Sequence, residues 1–381
     1  MTEPVGLAWT LSSFHGWGIL GTQLALALIR RGRMPLALDE PSLSLPETDW
    51  RLLAPALEAS RDFRQALPDP QGRYKLGFPV IHAVHNRLAY GGRLSGAPDL
   101  GIVFLENTHL DAEALARGRN LDRLVAGCRW GADILKAKGL TDVVCAVQGI
   151  DPALFFPAPK KNRFPGRFVV FSGGKLEFRK GQDLVVAGFR RFQARHPEAL
   201  LLTAWQNPWP KTSGDLARTG PTPEANAQGA VDVKGWVRAL GVPEGAHRDL
   251  GLIAHALLPD WVREADLGVF ASRCEGGTNL MAMETLAAGV PCILSANTGH
   301  RDLLAELPAW PLTRQLPVIP VGPEEGTEGW GESDPDEIDF LLEKAWQNSA
   351  AIERMGHDAA QAMRAWDWPA KADAILKALA L

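Results

Sequence analysis

The stretch FASRCEGGTNLMAMETLAAGVPCIL, residues 270–294, decides the fold. An apolar run ends at Phe270, and a loop follows that carries Glu275-Gly276-Gly277-Thr278-Asn279. An apolar helical pattern begins near Leu280, and a second apolar run starts at Cys292. Strand, glycine-bearing loop, helix and strand in that order make one unit of a parallel α/β layer. The start of such a helix presents unpaired N–H groups and a partial positive charge, which suits a phosphate. Two glycines let the backbone approach an anion closely. Glu284 lies about one turn into the helix, where a carboxylate can accept both hydroxyls of a ribose; taken alone, it also reads as a helix acid favoured by the dipole. Glu275, in the loop, can accept sugar hydroxyls.

A second stretch, FSGGKLEFRKGQDLVVAGF at 171–189, repeats the design upstream. A strand runs into Gly173-Gly174, then come Lys175 and Lys180, then a helix. Two ammonium groups at a strand-end loop would neutralise a diphosphate leaving group as its charge develops. A solvated basic loop is the bland alternative. Loss of Lys180 is expected to spare folding, because a cleft lysine supports little core. Near the start, SFHGWGILGTQLALALIRRG at 13–32 contains Gly16-x-Gly18-x-x-Gly21 behind the strand Val5–Thr10. Asp39 and Glu40 end the next strand, as a ribose-binding acid would in a dinucleotide turn. Against that, Leu11–His15 separate strand from glycines and predict a wider, mobile loop.

The same alternation runs through the chain. In the first half, strands read as Val5–Thr10, Pro35–Leu38, Pro79–Val84, Gly101–Leu105, Leu124–Gly127 and Val143–Val147. GIDPALFFPAPKKNRFPG, with four prolines, reads as a linker. In the second half, strands read as Phe168–Phe171, Leu200–Ala204, Leu250–Ile253, Leu267–Phe270, Cys292–Leu294 and Pro317–Ile319, with an irregular insertion over 206–247. The prediction is two doubly wound, Rossmann-like domains facing across a cleft. One spans 1–157 and takes the acceptor; the other spans 158–365 and takes the donor. A helix over 366–381 crosses back to the first.

Bulk properties narrow the class. With 381 residues, 46% of them hydrophobic and 22% charged, the chain holds ample core for two domains. A net charge of -4 gives no nucleic-acid signal, and over residues 1–156 16 Lys and Arg balance 16 Asp and Glu. The four cysteines, Cys128, Cys145, Cys274 and Cys292, are scattered and read as reduced thiols rather than a disulfide frame or zinc site. No apolar run reaches the length of a membrane span, so the location expected is cytoplasmic, with a peripheral station at the inner membrane as the other option.

Several motifs in order resemble a GT-B glycosyltransferase of the large retaining family 4. FHGWGILGTQLALALIRRG resembles its N-terminal glycine loop and first helix. AGCRWGADILKAKGLTDVVCAVQGIDPALFFP resembles the end of its first domain. SGGKLEFRKGQDL resembles the diphosphate loop, LLPDWVREADLGVFASRCEGGTNLMAMETLAAGVPCIL the donor core, and RMGHDAAQAMRAWDWPAKADAIL the closing helices. The resemblance implies that Lys175 and Lys180 hold the diphosphate, helped by Gly174 and the backbone amides of Thr278, Asn279 and Leu280. Glu284 would hold the donor ribose and Glu275 orient the transferred sugar. Gly16, Gly18 and Gly21 would close over the donor from the first domain. The donor would be a UDP- or GDP-sugar, the acceptor a glycan, lipid or protein, and transfer would retain anomeric configuration without metal or other cofactor. Two departures stand out. Lys175 occupies a position where the family has Arg, and eight residues rather than seven separate Glu275 from Glu284.

In the first domain, His15, Glu106 and His109 are candidates for acceptor or base work; His82 and His85 sit at another strand, and lone histidines are often structural. Trp17, Trp205, Trp209, Trp236 and Trp330 lie in loop-like sequence and could stack on a base or sugar ring, with most other tryptophans in the core. Two rival functions carry fewer of these residues. An NAD(P)-dependent oxidoreductase using Gly16–Gly21 leaves Lys175, Lys180 and Glu284 unexplained. A non-catalytic glycan- or nucleotide-binding protein would be a decayed relative of such an enzyme, and the intact Glu284 and both lysines argue against decay.

Overall fold

The structure is a computed structural model that describes residues 3–69, 71–206, 210–224 and 230–381. It divides into two compact units. Unit 1 comprises Met1–Gly149, Pro320–Thr327 and Trp366–Leu381; unit 2 comprises Ile150–Ile319 and Glu328–Ala365. Both are layered α/β structures built on a six-stranded sheet in which every pairing is parallel.

In unit 1 the strands are β1 (Pro4–Ala8), β2 (Met34–Ala37), β3 (Val80–Val84), β4 (Asp99–Val103), β5 (Arg123–Ala126) and β6 (Val143–Cys145). Their order is β2-β1-β3-β4-β5-β6, so the winding reverses between β1 and β3. All five residues of β3 are buried, as expected for a strand covered on both faces. Its one polar member, His82, meets Asp99 Oδ1 at 2.6 Å through Nε2. Helix α1 (Gly16–Arg30) buries Leu20, Leu24 and Leu28, one apolar residue per turn. Helix α2 (Glu47–Ala66) packs beside β2, and α3 (Ala112–Arg119) and α4 (Arg129–Ala137) flank the far strands. The last helix, α12 (Trp368–Ala378), lies against α1, where Arg31 Nε donates to Asp373 at 2.7 Å. Segment Pro320–Thr327 clips onto the turn after β4. Thr108 N donates to Gly326 O at 3.1 Å, Gly326 N to Asn107 Oδ1 at 2.7 Å, and Asn107 Nδ2 to Glu324 O at 2.9 Å.

In unit 2 the strands are β7 (Phe168–Gly174), β8 (Ala199–Trp205), β9 (His247–Asp249), β10 (Leu267–Phe270), β11 (Cys292–Ser295) and β12 (Trp310–Leu312). Their order is β9-β8-β7-β10-β11-β12, so the switch point falls between β7 and β10. The core joins Val185, Phe189 and Phe192 of α5 (Gln182–Gln193) to Ile338, Leu342 and Ala345 of α10 (Pro335–Gln347). Helix α7 (Pro259–Val262) precedes β10, α8 (Leu280–Ala287) follows it, and α11 (Ser349–Met363) packs on α8.

Two strands differ from expectation. The apolar run Leu250–Ile253 is not a strand, and Leu252 is 72% exposed. The edge strand is instead the polar His247–Asp249, held by Thr203 Oγ1, which bonds His247 Nε2 at 2.9 Å and Asp249 Oδ1 at 2.7 Å. The sixth strand is Trp310–Leu312 rather than Pro317–Ile319. Gln315–Pro317 pairs antiparallel with Gly331–Ser333 in a separate hairpin, β13 and β14. Helices α6 (Val233–Ala239) and α9 (His300–Glu306) were not visible in the sequence; both are seven residues long, too short for a clear period.

Candidate active site

The switch point of unit 2 is where a doubly wound sheet opens a crevice beyond its strand ends. Four segments meet there: the end of β7 with Lys175, the turn through Lys180 into α5, the loop Ala271–Asn279 after β10, and the start of α8. Gly181 makes a close approach. Its φ is 64°, and a Cβ would stand 2.0 Å from Ala271 O, so only glycine fits there.

Glu275 is the hub. Its side chain is 4% exposed, and Lys180 Nζ donates to its two oxygens at 2.9 and 2.8 Å. Ser272 Oγ donates to Oε1 at 2.6 Å, and Arg179 Nη1 stands 3.6 Å from Oε2. Burial pushes the carboxyl pKa up, but the charges of Lys180, His300 and Arg179 outweigh it and hold the group down at about 2. A tighter frame surrounds the hub. Arg273, 1% exposed, forks onto Asp183 and reaches Glu332 at 2.7 Å, tying the loop to α5 and to β14. Lys175 Nζ lies 3.2 Å from Glu177, which also meets Arg179 at 2.9 Å.

Asn279 caps α8 from a left-handed conformation (φ 60°), its Oδ1 accepting from Ala282 N at 3.3 Å. His300 fixes that side chain. Ser295 Oγ donates to Ser272 O at 2.7 Å, so it must accept from His300 Nδ1–H at 2.9 Å. That leaves His300 Nε2 to accept from Asn279 Nδ2 at 3.0 Å. Burial depresses the imidazole to about 4, and the charge of Glu275 opposes the shift only in part, so the ring is neutral at pH 7. Thr278 is fully buried with its hydroxyl on Met283 Sδ; Leu280 is half-buried. Glu284, in the second turn of α8, is 2% exposed, and His255 Nε2 meets its Oε1 at 2.6 Å.

Unit 1 corrects one reading. Gly16, Gly18 and Gly21 lie inside α1, not in a loop. His15 caps the helix, its Nδ1 accepting from Gly18 N at 3.0 Å. A Cβ on Gly18 would stand 2.4 Å from Ser12 Cβ, and one on Gly21 2.6 Å from Leu11 Cδ2, so packing accounts for both glycines. Glu40 pairs with Arg64 at 2.6 Å, a strand-end contact rather than a ribose receptor. Glu106 and His109 are half-buried in the turn after β4 that Pro320–Thr327 clips, and His109 N donates to Asn107 Oδ1 at 2.8 Å.

The tryptophans sort differently from expectation. Trp205 and Trp236 are core, 0% and 3% exposed, while Trp50 and Trp346 are 48% and 41% exposed. Trp209 lies outside the described residues. Trp17 lies tilted against Phe104 and edge-on to His85 at the carboxyl edge of the unit 1 sheet, with centroids 4.7 and 5.8 Å apart. Trp330 is half-buried. The four cysteines are free thiols.

Comparison with known proteins places this geometry. Sucrose-phosphate synthase from Thermosynechococcus elongatus superposes with a TM-score of 0.63 at 16% identity over 98% of both chains. Anabaena HepE, solved in complex with UDP and glucose, gives 0.65 at 13% identity over 100% of both. The α,α-trehalose 6-phosphate synthase of Burkholderia multivorans gives 0.61 at 12% identity over 100% of this chain and 96% of that one. The fold is GT-B. Within the GT-B chain, residues 253–375 match the family described as Family 4 Glycosyltransferase in conflict systems. Mannosylfructose-phosphate synthase of Agrobacterium fabrum is 31% identical over 159 residues, which are 40% of this chain and 32% of that protein. The matched stretch thus spans about a third of the curated relative's length. The family match contains Glu275 and Glu284, and it also contains His255 and His300, which the sequence reading passed over. A signal for His255 existed: it lies two positions past the apolar run Leu250–Ile253, where a strand's carboxyl edge was expected. No helix among the described residues is long and apolar enough to cross a membrane.

Proposed function

We propose that this GT-B protein transfers a sugar from a nucleotide-sugar donor to an acceptor and retains the anomeric configuration. The observation that carries this reading is the cluster at the unit 2 switch point: Lys175, Lys180 and Arg179 beside the capped start of α8, with Glu284 in its second turn. Support comes from the family match, which covers α8 and Glu284 but not the lysines, and from HepE, a fold neighbour whose complexes contain UDP and UDP-glucose.

In this reading the β7–α5 lysines and the α8 amides receive the diphosphate. As the bond from the anomeric carbon to the diphosphate oxygen breaks, negative charge grows there, and pre-positioned cations stabilise it without reorganising. Those protein cations supply what a metal ion would otherwise contribute. Glu275 positions Lys180 and, through it, the leaving group; a direct contact with the transferred sugar is the companion role. The departing phosphate oxygen takes the acceptor's proton, and Glu106 and His109 serve the acceptor in unit 1. UDP- and GDP-sugars are the donors proposed, a glycan, lipid or protein the acceptor, and the cytoplasm the location.

Titration tests it. UDP or GDP is expected to raise the melting temperature and NAD is not; about 100 Kd of ligand adds roughly 2.7 kcal/mol. Glu284→Gln should weaken the nucleotide by about 30- to 1000-fold through lost charge-assisted hydrogen bonds. Stabilisation by NAD alone, or unchanged affinity in Glu284→Gln, would overturn the donor-site reading.

A further inference from the structure

Glu284 has a resident partner. The side chain is 2% exposed, and a carboxylate that deep needs a compensating donor to remain charged. His255 Nε2 supplies one to Oε1 at 2.6 Å. Among the described residues no hydrogen bond reaches Oε2, so one oxygen of the pair is engaged and the other is open. The His255 ring is itself held: it leans on Phe155, with centroids 5.1 Å apart and planes tilted 49°. Burial lowers its pKa, but the charge of Glu284, their hydrogen bond and the charge of Asp151 outweigh it, and the imidazole ends up more basic than usual. The other charged groups in α7 and at its end are already paired. Asp260 meets Lys161 at 2.5 Å, and Arg263 donates to the carbonyls of Phe156 and Leu154.

We propose that His255 is a positioning residue for nucleotide recognition: by occupying Glu284 Oε1 it leaves Oε2 as the principal acceptor, so that one ribose hydroxyl is read more strongly than its neighbour. The inference rests on Glu284 being the ribose receptor. It adds an asymmetry that a bare carboxylate, with two equivalent oxygens, does not have.

The probe is whichever of UDP and GDP stabilises the wild type more, with its 2′-deoxy and 3′-deoxy analogues, titrated calorimetrically into wild type, His255→Ala, His255→Gln and Glu284→Gln. In the wild type the two analogues should differ in affinity by about tenfold, the worth of one hydrogen bond to a charged group. In His255→Ala the parent nucleotide should weaken about tenfold and the gap between analogues should close to about twofold. His255→Gln, whose amide still donates to Oε1, should restore most of both, which keeps the test valid if the alanine variant folds poorly. Wild-type affinity and discrimination in folded His255→Ala and His255→Gln, with Glu284→Gln still impaired, would overturn the role of His255 and leave the donor site standing. No nucleotide binding by the wild type, or a silent Glu284→Gln, would overturn the donor site and this inference with it.

Discussion

Arg273 and Asp183 form a guanidinium–carboxylate fork away from water, Nη1 to Oδ1 at 2.8 Å and Nη2 to Oδ2 at 2.6 Å. Arg273 also donates to Phe178 O at 2.8 Å and lies over the Phe178 ring. One side chain therefore fixes the loop that carries Glu275 against the turn that carries Lys180. Arg273→Ala strands a buried aspartate and is expected to cost about 3–5 kcal/mol of stability in chemical denaturation. Arg273→Lys keeps the charge but not the fork, and should recover only part. Wild-type stability in both variants would mean the fork contributes nothing.

Lys180 is expected to matter twice. Under the proposed transfer, Lys180→Ala should lower turnover by on the order of 100-fold, since that proposal assigns its charge to the leaving group. It should also destabilise, contrary to the expectation from sequence, because Glu275 would remain buried beside fewer cations. Pairing Lys180→Met with Glu275→Leu separates the effects: stability should return and turnover should not. Recovered turnover in the double variant would remove Lys180 from the chemistry.

The histidines give unit 2 a signed pH dependence. His300 is held at about 4 in the fold against 6.5 for the free side chain. The unfolded chain therefore binds the extra proton first, and this contribution is complete above pH 6.5 and lost as pH falls toward 4. The shift implies a loss on the order of 2 kcal/mol between pH 7 and 5. His247, held at about 4 by burial and by Lys234, acts in the same direction. Glu275 adds a further loss from pH 4.5 down to about 2. His255, more basic in the fold, runs the other way: its contribution is complete below pH 6.5 and fades as pH rises through its raised pKa. Unfolding free energies of wild type and His300→Gln at pH 7 and 5 check the sign; an equal drop in both would show that His300 is not the linked group.

Gly16 and Gly18 should part company. A Cβ on Gly16 meets nothing within 4 Å, so Gly16→Ala should stabilise α1 by about 0.4–1 kcal/mol. Gly18→Ala drives a methyl into Ser12 and should cost about 1–3 kcal/mol. Activity then tests the donor role: a stabilised Gly16→Ala enzyme with normal turnover excludes close approach of substrate at that residue.

The parallel layers and their order along the chain were legible because buried parallel strands are continuous apolar runs. β3 and β10 read off directly for that reason. The edge strand β9 did not, since its residues are polar and held by Thr203 rather than by burial. The strand-end loops with Lys175, Lys180 and Glu275, and the helix with Glu284, were legible from residue type and position. What the letters could not convey was pairing. Nothing in the spacing reveals that Lys180 is locked to Glu275, that Arg273 crosses to Asp183, or that His255 sits on Glu284; each pair is separated by 29 residues or more and meets only through the fold. The glycine pattern misled for a related reason: Gly18 and Gly21 answer to Ser12, Leu11 and Trp9, not to a ligand-binding turn.

The segment Trp366–Leu381 belongs to unit 1, whose sheet is made of residues before Gly149. Arg31 binds both the Asp373 side chain and Leu381 O, and Gly149 would collide with Trp368 if it bore a Cβ. On the ribosome, the half that emerges first is therefore the half that closes last. All of unit 2 must leave the exit tunnel before α1 receives its cover. Until then the α12-facing side of α1 is an unburied surface, which a nascent chain must shelter for the time needed to translate more than half of its length.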